Sequence, residues 1–107
     1  MQAFETSQLV EAQARTKARY LEFLRVPDLS MGLYVLKAGA ADTQSPHDED
    51  EIYVVAAGRA KVRVGDEERE VQPGSIVYVA KRVPHTFHDI NEDLHLLVLF
   101  APAESAK

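Results

Sequence analysis

Three side chains in this sequence have the chemistry to bind a metal ion: His47, Glu51 and His85. His47 and Glu51 lie four residues apart around the start of a predicted strand, and His85 begins another strand directly after Pro84. Two imidazoles and one carboxylate suit a divalent transition metal, and they leave positions on the ion open for water, oxygen or a substrate. We therefore predict a site for zinc, iron, nickel or manganese.

The elements that must position these residues are mostly short β-strands. Alternating side chains, as in Arg59–Val64, and turn signals such as Gly65-Asp66 and Pro73-Gly74 recur at short, regular intervals. The predicted strands are Tyr20–Val26, Met31–Lys37, Glu51–Ala57, Arg59–Val64, Glu68–Gln72, Ser75–Ala80, His85–Ile90 and Leu94–Ala101. About eight antiparallel strands without helical connections predict an all-β barrel or jelly roll. Inside a barrel, residues far apart in sequence can meet.

A short helix precedes the strands. Apolar residues at helical spacing predict a helix from Thr6 or Ser7 to about Ala18, with a thin apolar stripe that suits packing on the barrel or on a second copy. The predicted division is an N-terminal helical segment at 1–19, a barrel domain at 20–102 and a flexible tail at 103–107. Because so short a chain buries limited surface by itself, we predict a homodimer.

The composition narrows the choice of partners. The 107 residues carry a net charge of −5 without a cluster of Lys or Arg, which disfavours nucleic acid as a partner. The sequence has no stretch apolar enough for a membrane span or a signal peptide. It also lacks cysteine, which rules out a thiolate nucleophile and fits a reducing compartment. We predict a cytoplasmic protein that binds a small molecule.

Two segments resemble the motifs of the cupin superfamily. Gly39–Gly58 resembles the first motif, G-x5-H-x-H-x3-E-x6-G, and Gly74–Asp89 is similar to the second, G-x5-P-x-G-x2-H-x3-N. The resemblance extends over roughly residues 20 to 102 and includes the short spacing between motifs that is typical of the smallest members. It implies a cupin double-stranded β-barrel, as in small single-domain bacterial cupins. It also implies that His47, Glu51 and His85 are metal ligands.

The sequence departs from this pattern at the first histidine of the first motif, where Ser45 stands. A serine hydroxyl is a poor ligand for such metals. The site then holds its metal with three protein ligands and more water, binds it weakly, or has lost it. Gln44 or Glu49 could supply a replacement oxygen, and strand alternation favours Glu49. Within the second motif, Ala80, Arg82 and Asp89 replace the Pro, Gly and Asn.

Other polar and aromatic residues have weaker claims to the site. The acidic run 48–51 lacks the pattern of a calcium loop, so we assign a role only to Glu51. His88 lies on the opposite side of its strand from His85, and we expect it at the surface. His95 is expected in the core or an interface, with a pocket role as the alternative. Two aromatic residues, Tyr53 and Phe87, are expected either to line the pocket or to pack in the core.

The sequence supports two classes of function. A metal ion with open positions suits an enzyme acting on a small oxygenated metabolite, and the resemblance implies dioxygenase, decarboxylase or isomerase activity without a choice among them. The alternative is a barrel that binds a sugar or metabolite without converting it, which Ser45 favours by weakening the ligand set. A metal-free structural dimer is a third version. One architecture hosts many activities, so the fold does not decide between them.

Overall fold

In the part of the chain that the structure describes, eight strands form two antiparallel sheets, preceded by one short helix. The computed structural model describes residues 1–105. The elements are α1 (Thr6–Ala14), β1 (Tyr20–Val26), β2 (Leu29–Leu36), β3 (Asp50–Ala57), β4 (Ala60–Val64), β5 (Glu67–Val71), β6 (Ile76–Val79), β7 (His85–His88) and β8 (Leu94–Ala101). One sheet has the strand order β1-β2-β8-β3-β6 and the other has the order β5-β4-β7. This confirms the predicted all-β fold with a short N-terminal helix.

The core lies between the two sheets, and strand alternation determines which residues enter it. In β8 the residues Leu94, Leu96, Val98 and Phe100 are buried, while their neighbours in the strand are only partly covered. Alternate residues of β3 and β7 are buried in the same way. Because successive side chains of a strand point to opposite faces, the same alternation directs polar residues of β3 and β7 inward.

Helix α1 is shorter than the sequence pattern predicts, since it ends at Ala14 and not near Ala18. Side-chain hydrogen bonds replace the helical ones after that point. The Thr16 hydroxyl donates to the Gln13 carbonyl at 2.9 Å, and the Gln13 side-chain amide donates to the Ala18 carbonyl at 3.0 Å. Such local bonds compete with a helix. The helix has no buried residue, so the barrel depends little on it.

The residues after β8 concern the predicted flexible tail at 103–107. Residues 103–105 form hydrogen bonds with the barrel, whereas 106 and 107 lie outside the described part of the chain. The division into three segments and the flexible tail stay predictions. Within residues 1–105, no helix is long and apolar enough to cross a membrane, and a cytoplasmic location also stays a prediction.

Two departures from the second motif occupy backbone conformations that suit glycine or asparagine. Arg82 and Asp89 have φ angles of 66° and 49°. They stand where the motif has Gly and Asn, which adopt this left-handed region at least cost. Arg82 also donates its backbone N–H to the His47 carbonyl at 2.7 Å. The strained turn therefore connects directly to the loop that carries His47.

We predict that Arg82→Gly stabilises the protein. Glycine should remove steric strain at a positive φ and raise the free energy of unfolding by about 0.5–1 kcal/mol. The Arg82 side chain is exposed, and its 3.5 Å ion pair with the exposed Asp48 should contribute little. Chemical denaturation measures the change. Arg82→Ala is the control, because it removes the ion pair and keeps a Cβ; equal stability of the two variants would contradict this explanation.

Candidate metal centre

Three elements bring His47, Glu51 and His85 together. Glu51 is the second residue of β3 and points into the barrel, in phase with Tyr53 two residues later. His85 begins β7 and also points inward. His47 lies in the loop before β3, whose path is tied to the β6–β7 connection by the Arg82–His47 backbone bond. All three side chains are buried, with residue exposures of 9%, 1% and 7% in sequence order.

The Glu51 carboxylate lies at the centre of this cluster. Its Oε1 is 3.1 Å from Nδ1 of His47 and 3.1 Å from Nε2 of His85. One ligand atom from each of the three residues lies within 4.8 Å of the others. Atoms that share one transition metal at about 2.0–2.2 Å are separated by roughly 3 Å or slightly more. The spacing of these nitrogens and oxygens therefore suits ligands of a single ion.

Both ring nitrogens of His85 face hydrogen-bond acceptors. Nδ1 donates to the Val83 carbonyl at 2.9 Å, while Nε2 faces Glu51 Oε1 and, at 3.0 Å, the Tyr53 hydroxyl oxygen. The Tyr53 hydroxyl gives its own proton to Gln44 Oε1 at 3.0 Å. Both neighbours of Nε2 are thus acceptors. A proton on Nε2 satisfies them, and a metal ion in its place would do the same.

The pKa values follow from the same contacts. Burial alone would raise the pKa of Glu51, but hydrogen bonds from His47 and His85 outweigh it and lower the pKa to about 2. Burial alone would lower the pKa of His85, but its bonds to Glu51 and the Val83 carbonyl raise it above the usual value. Burial, together with the charge of Glu51, raises the pKa of Tyr53. At neutral pH, Glu51 is therefore charged and Tyr53 keeps its proton.

The residues present fit a divalent metal ion. The second carboxylate oxygen of Glu51, Oε2, is buried and has no hydrogen-bond partner among residues 1–105. A buried carboxylate oxygen is costly without a partner, so it is available to a cation or a bound water. The His85 ring is already oriented by the Val83 carbonyl, which is the usual arrangement around a metal-binding histidine. The cluster can hold a metal ion, and two imidazoles with a carboxylate suit zinc or iron.

A cavity of about 380 Å³ adjoins the cluster and is lined by His47 and Tyr53 among others. Its walls are largely aromatic, with Tyr20, Tyr34 and Phe100 contributing rings. The Tyr20 hydroxyl is buried without a hydrogen-bond partner in the described chain. Its ring lies where a side chain at position 32 would be, and a Cβ there would come within 2.1 Å of it, so Gly32 makes room for the ring.

Of the other residues that the sequence suggested for the site, two line the cavity and two do not. Gln44 is on the cavity wall beside Tyr53, and Ser45 also lines the cavity but is exposed. Glu49 is buried away from the cluster, where its Oε2 accepts the Ser105 backbone N–H at 3.2 Å. Phe87 packs in the core with its ring 5.0 Å from that of Tyr53.

Two histidines lie apart from the cluster. His95 is half-buried on the outward face of β8, and the structure does not bring it to the cavity. His88 is half-buried on the outward side of β7, with Nε2 2.8 Å from Glu68 Oε1. Its position agrees with the surface role expected from alternation.

The sequence analysis did not identify two carboxylates that lie near the site, Asp42 and Glu104. Asp42 accepts the Tyr34 hydroxyl at 2.8 Å with Oδ1, and its Oδ2 accepts the Phe87 backbone N–H and the Gln44 amide, both at 2.9 Å. Glu104 places Oε2 3.2 Å from Nε2 of His47. Neither lies in a strand or matches a motif, so no sequence signal indicates them.

Comparisons with known proteins agree with the fold. The family described as Cupin domain matches residues 32–100. An uncharacterised protein from Streptomyces coelicolor is 49% identical over 105 residues, which span 98% of this chain and 100% of that protein. The solved structure of TT1209 from Thermus thermophilus is 25% identical with a TM-score of 0.76, covering 96% of this chain and 99% of that one. KdgF from a Halomonas species is 25% identical with a TM-score of 0.71, covering 78% and 76%.

We predict that metal binding releases protons near neutral pH. His85 must lose its proton to become a ligand, and its raised pKa makes proton competition begin at a higher pH than for an ordinary histidine. Zinc affinity should therefore fall as the pH decreases, and the fall should begin above pH 6.5, the ordinary pKa of a histidine side chain. Calorimetric titration in buffers of different ionisation enthalpy should count on the order of one proton released. A proton count of zero, with constant affinity as the pH decreases, would contradict a histidine ligand.

Proposed function

Because this chain belongs to the cupin domain family, we propose that it is a small cupin enzyme with a divalent metal ion on His47, Glu51 and His85. The observation that carries the proposal is the buried Glu51 carboxylate, with one oxygen 3.1 Å from a nitrogen of each histidine and the other without a described hydrogen-bond partner. The assignment of these three residues as ligands is part of the proposal. The identity of the metal is left to measurement.

The cavity limits the substrate to a small molecule. A volume of about 380 Å³ lies near the lower end of the range for ligand pockets. Most of the walls are aromatic, and a few polar groups can contact a ligand: the Tyr20 hydroxyl, the Gln44 amide, Ser45 and the Glu104 carboxylate. A compact oxygenated metabolite, such as a hydroxy acid or keto acid, matches this combination. When bound, the ion would supply Lewis-acid chemistry that polarises an oxygen of the substrate.

A non-catalytic binding protein is the second candidate. It is favoured by the position of Ser45, which is exposed where the family motif has a histidine. With three protein ligands in place of four, the ion would be held less firmly.

For the enzyme, no separate general base is assigned. Burial and the charge of Glu51 raise the pKa of Tyr53 and disfavour its ionised form.

We predict that removing any of the three ligands weakens zinc binding and ends any activity. The variants are His47→Ala, Glu51→Gln and His85→Ala. Each should lower zinc affinity by more than the roughly 10–100-fold that follows loss of an outer partner of a metal ligand. Calorimetric titration of the metal-stripped proteins measures the affinity. Conversion of small hydroxy and keto acids, followed by NMR with zinc, iron(II), nickel or manganese, measures activity.

His88→Ala is the matched control, since it removes an imidazole outside the cluster and should change affinity by less than about 2-fold. Tight binding of a compound without conversion under any of the four metals would establish the binding-protein alternative. Zinc affinity unchanged in all three ligand variants would overturn the metal site itself.

We also propose that two copies associate through the N-terminal region. Helix α1 has no buried residue, and the exposed Phe4 contacts the Phe23 ring of β1 at 4.8 Å between ring centroids. Strand β1 is an edge of its sheet, and such edges are favourable sites for association. Light scattering should give a dimer mass at micromolar concentration and a lower mass after removal of residues 1–18. A monomer mass for both proteins would contradict the proposal.

A further inference from the structure

The two ring nitrogens of His47 face two different carboxylates. Nδ1 is 3.1 Å from Oε1 of Glu51, and Nε2 is 3.2 Å from Oε2 of Glu104. A neutral imidazole has one N–H donor and one lone pair, whereas a carboxylate only accepts. Without an ion, Nδ1 can donate to Glu51. With an ion bound, a donor bond from Nε2 to Glu104 would leave the lone pair of Nδ1 for the metal. We propose that Glu104 is a positioning residue that commits Nδ1 of His47 to the metal ion, an inference that rests on the proposed metal site.

Hydrogen bonds connect the backbone on both sides of Glu104 to the barrel. Its N–H donates to the Ser30 hydroxyl at 2.9 Å, and its carbonyl accepts from the Arg25 guanidinium at 2.7 Å. The next residue, Ser105, donates its backbone N–H to Glu49 at 3.2 Å. These anchors lie on β1, β2 and the loop before β3, so they hold the segment across one end of the five-stranded sheet.

Burial strengthens the contact between Glu104 and His47. The side chains are 15% and 8% exposed, so water competes little for the hydrogen bond. The same segment also provides hydrogen-bond partners for two buried polar residues, Ser30 and Glu49. The 102–105 segment therefore forms hydrogen bonds with Ser30 and Glu49 of the barrel, and it also places the Glu104 carboxylate beside His47.

The two histidine ligands would then present opposite ring nitrogens to the ion. His85 donates Nδ1–H to the Val83 carbonyl and leaves Nε2 for the metal. His47 donates Nε2–H to Glu104 and leaves Nδ1. This asymmetry is a specific signature, because removing Glu104 should affect the tautomer of His47 and leave that of His85 unchanged.

The first measurement is zinc affinity by calorimetric titration of metal-stripped protein at fixed pH. Glu104→Ala should weaken zinc binding by about 10–100-fold, as loss of an outer partner of a metal-binding histidine does. Glu104→Gln keeps an oxygen that can accept the Nε2–H bond, and it should restore most of the affinity. Glu92→Ala removes an exposed carboxylate elsewhere and serves as the matched control.

The second measurement assigns the histidine tautomers by long-range ¹H–¹⁵N NMR of the zinc-loaded protein. Wild type and Glu104→Gln should show His47 protonated on Nε2 and His85 protonated on Nδ1. In Glu104→Ala, the His47 signals should change while those of His85 stay constant. Wild-type zinc affinity and an unchanged His47 tautomer in Glu104→Ala would overturn the role of Glu104 and leave the metal site intact. Failure of wild type to bind zinc or any of the other three metals would overturn both.

Discussion

The buried charge of Glu51 is the constraint on which the rest of this structure depends. A carboxylate that is 1% exposed must be compensated, and the protein does so with two imidazoles at 3.1 Å. Removal of one partner from such a buried pair typically costs about 3–5 kcal/mol, so the fold tolerates little displacement of His47 or His85. Such an arrangement often contributes no more stability than an apolar core of the same volume. The polar cluster is therefore better explained by a functional requirement than by the needs of folding.

The surroundings of Glu51 are built from parts of the chain far apart in sequence. Glu51 and Tyr53 come from β3, His85 from β7, and Asp42 ties the loop before β3 to β2 and β7 through Tyr34 and the Phe87 backbone. Hydrogen bonds to neighbouring residues orient the side chains around Glu51: the Val83 carbonyl orients the His85 ring, and Gln44 orients the Tyr53 hydroxyl. A cavity beside such a fixed set of polar groups is suited to holding a small ligand in one orientation.

Sequence reasoning succeeded where geometry is local. Strand alternation and the spacing of the two motifs predicted the fold and the inward direction of Glu51, Tyr53 and His85, because successive side chains of a strand always alternate. It was weaker in the loop before β3. Residues 44–49 are not in a strand, so alternation does not order Gln44, Ser45 and Glu49 around the site. Glu104 had no local signal at all, since its contact with His47 depends on the path taken by the chain after β8.

The central position of β8 has a consequence for how the protein forms during translation. This strand lies between β2 and β3, yet it is the last of the eight along the chain. During synthesis, β2 and β3 each have one edge without its native partner until residues 94–101 have left the ribosome. Pairing over such long sequence separations is slow and exposes apolar strands in the interval. The nascent barrel should therefore be a client of chaperones at the exit tunnel, and a ribosome stalled before β8 would display an aggregation-prone half-sheet.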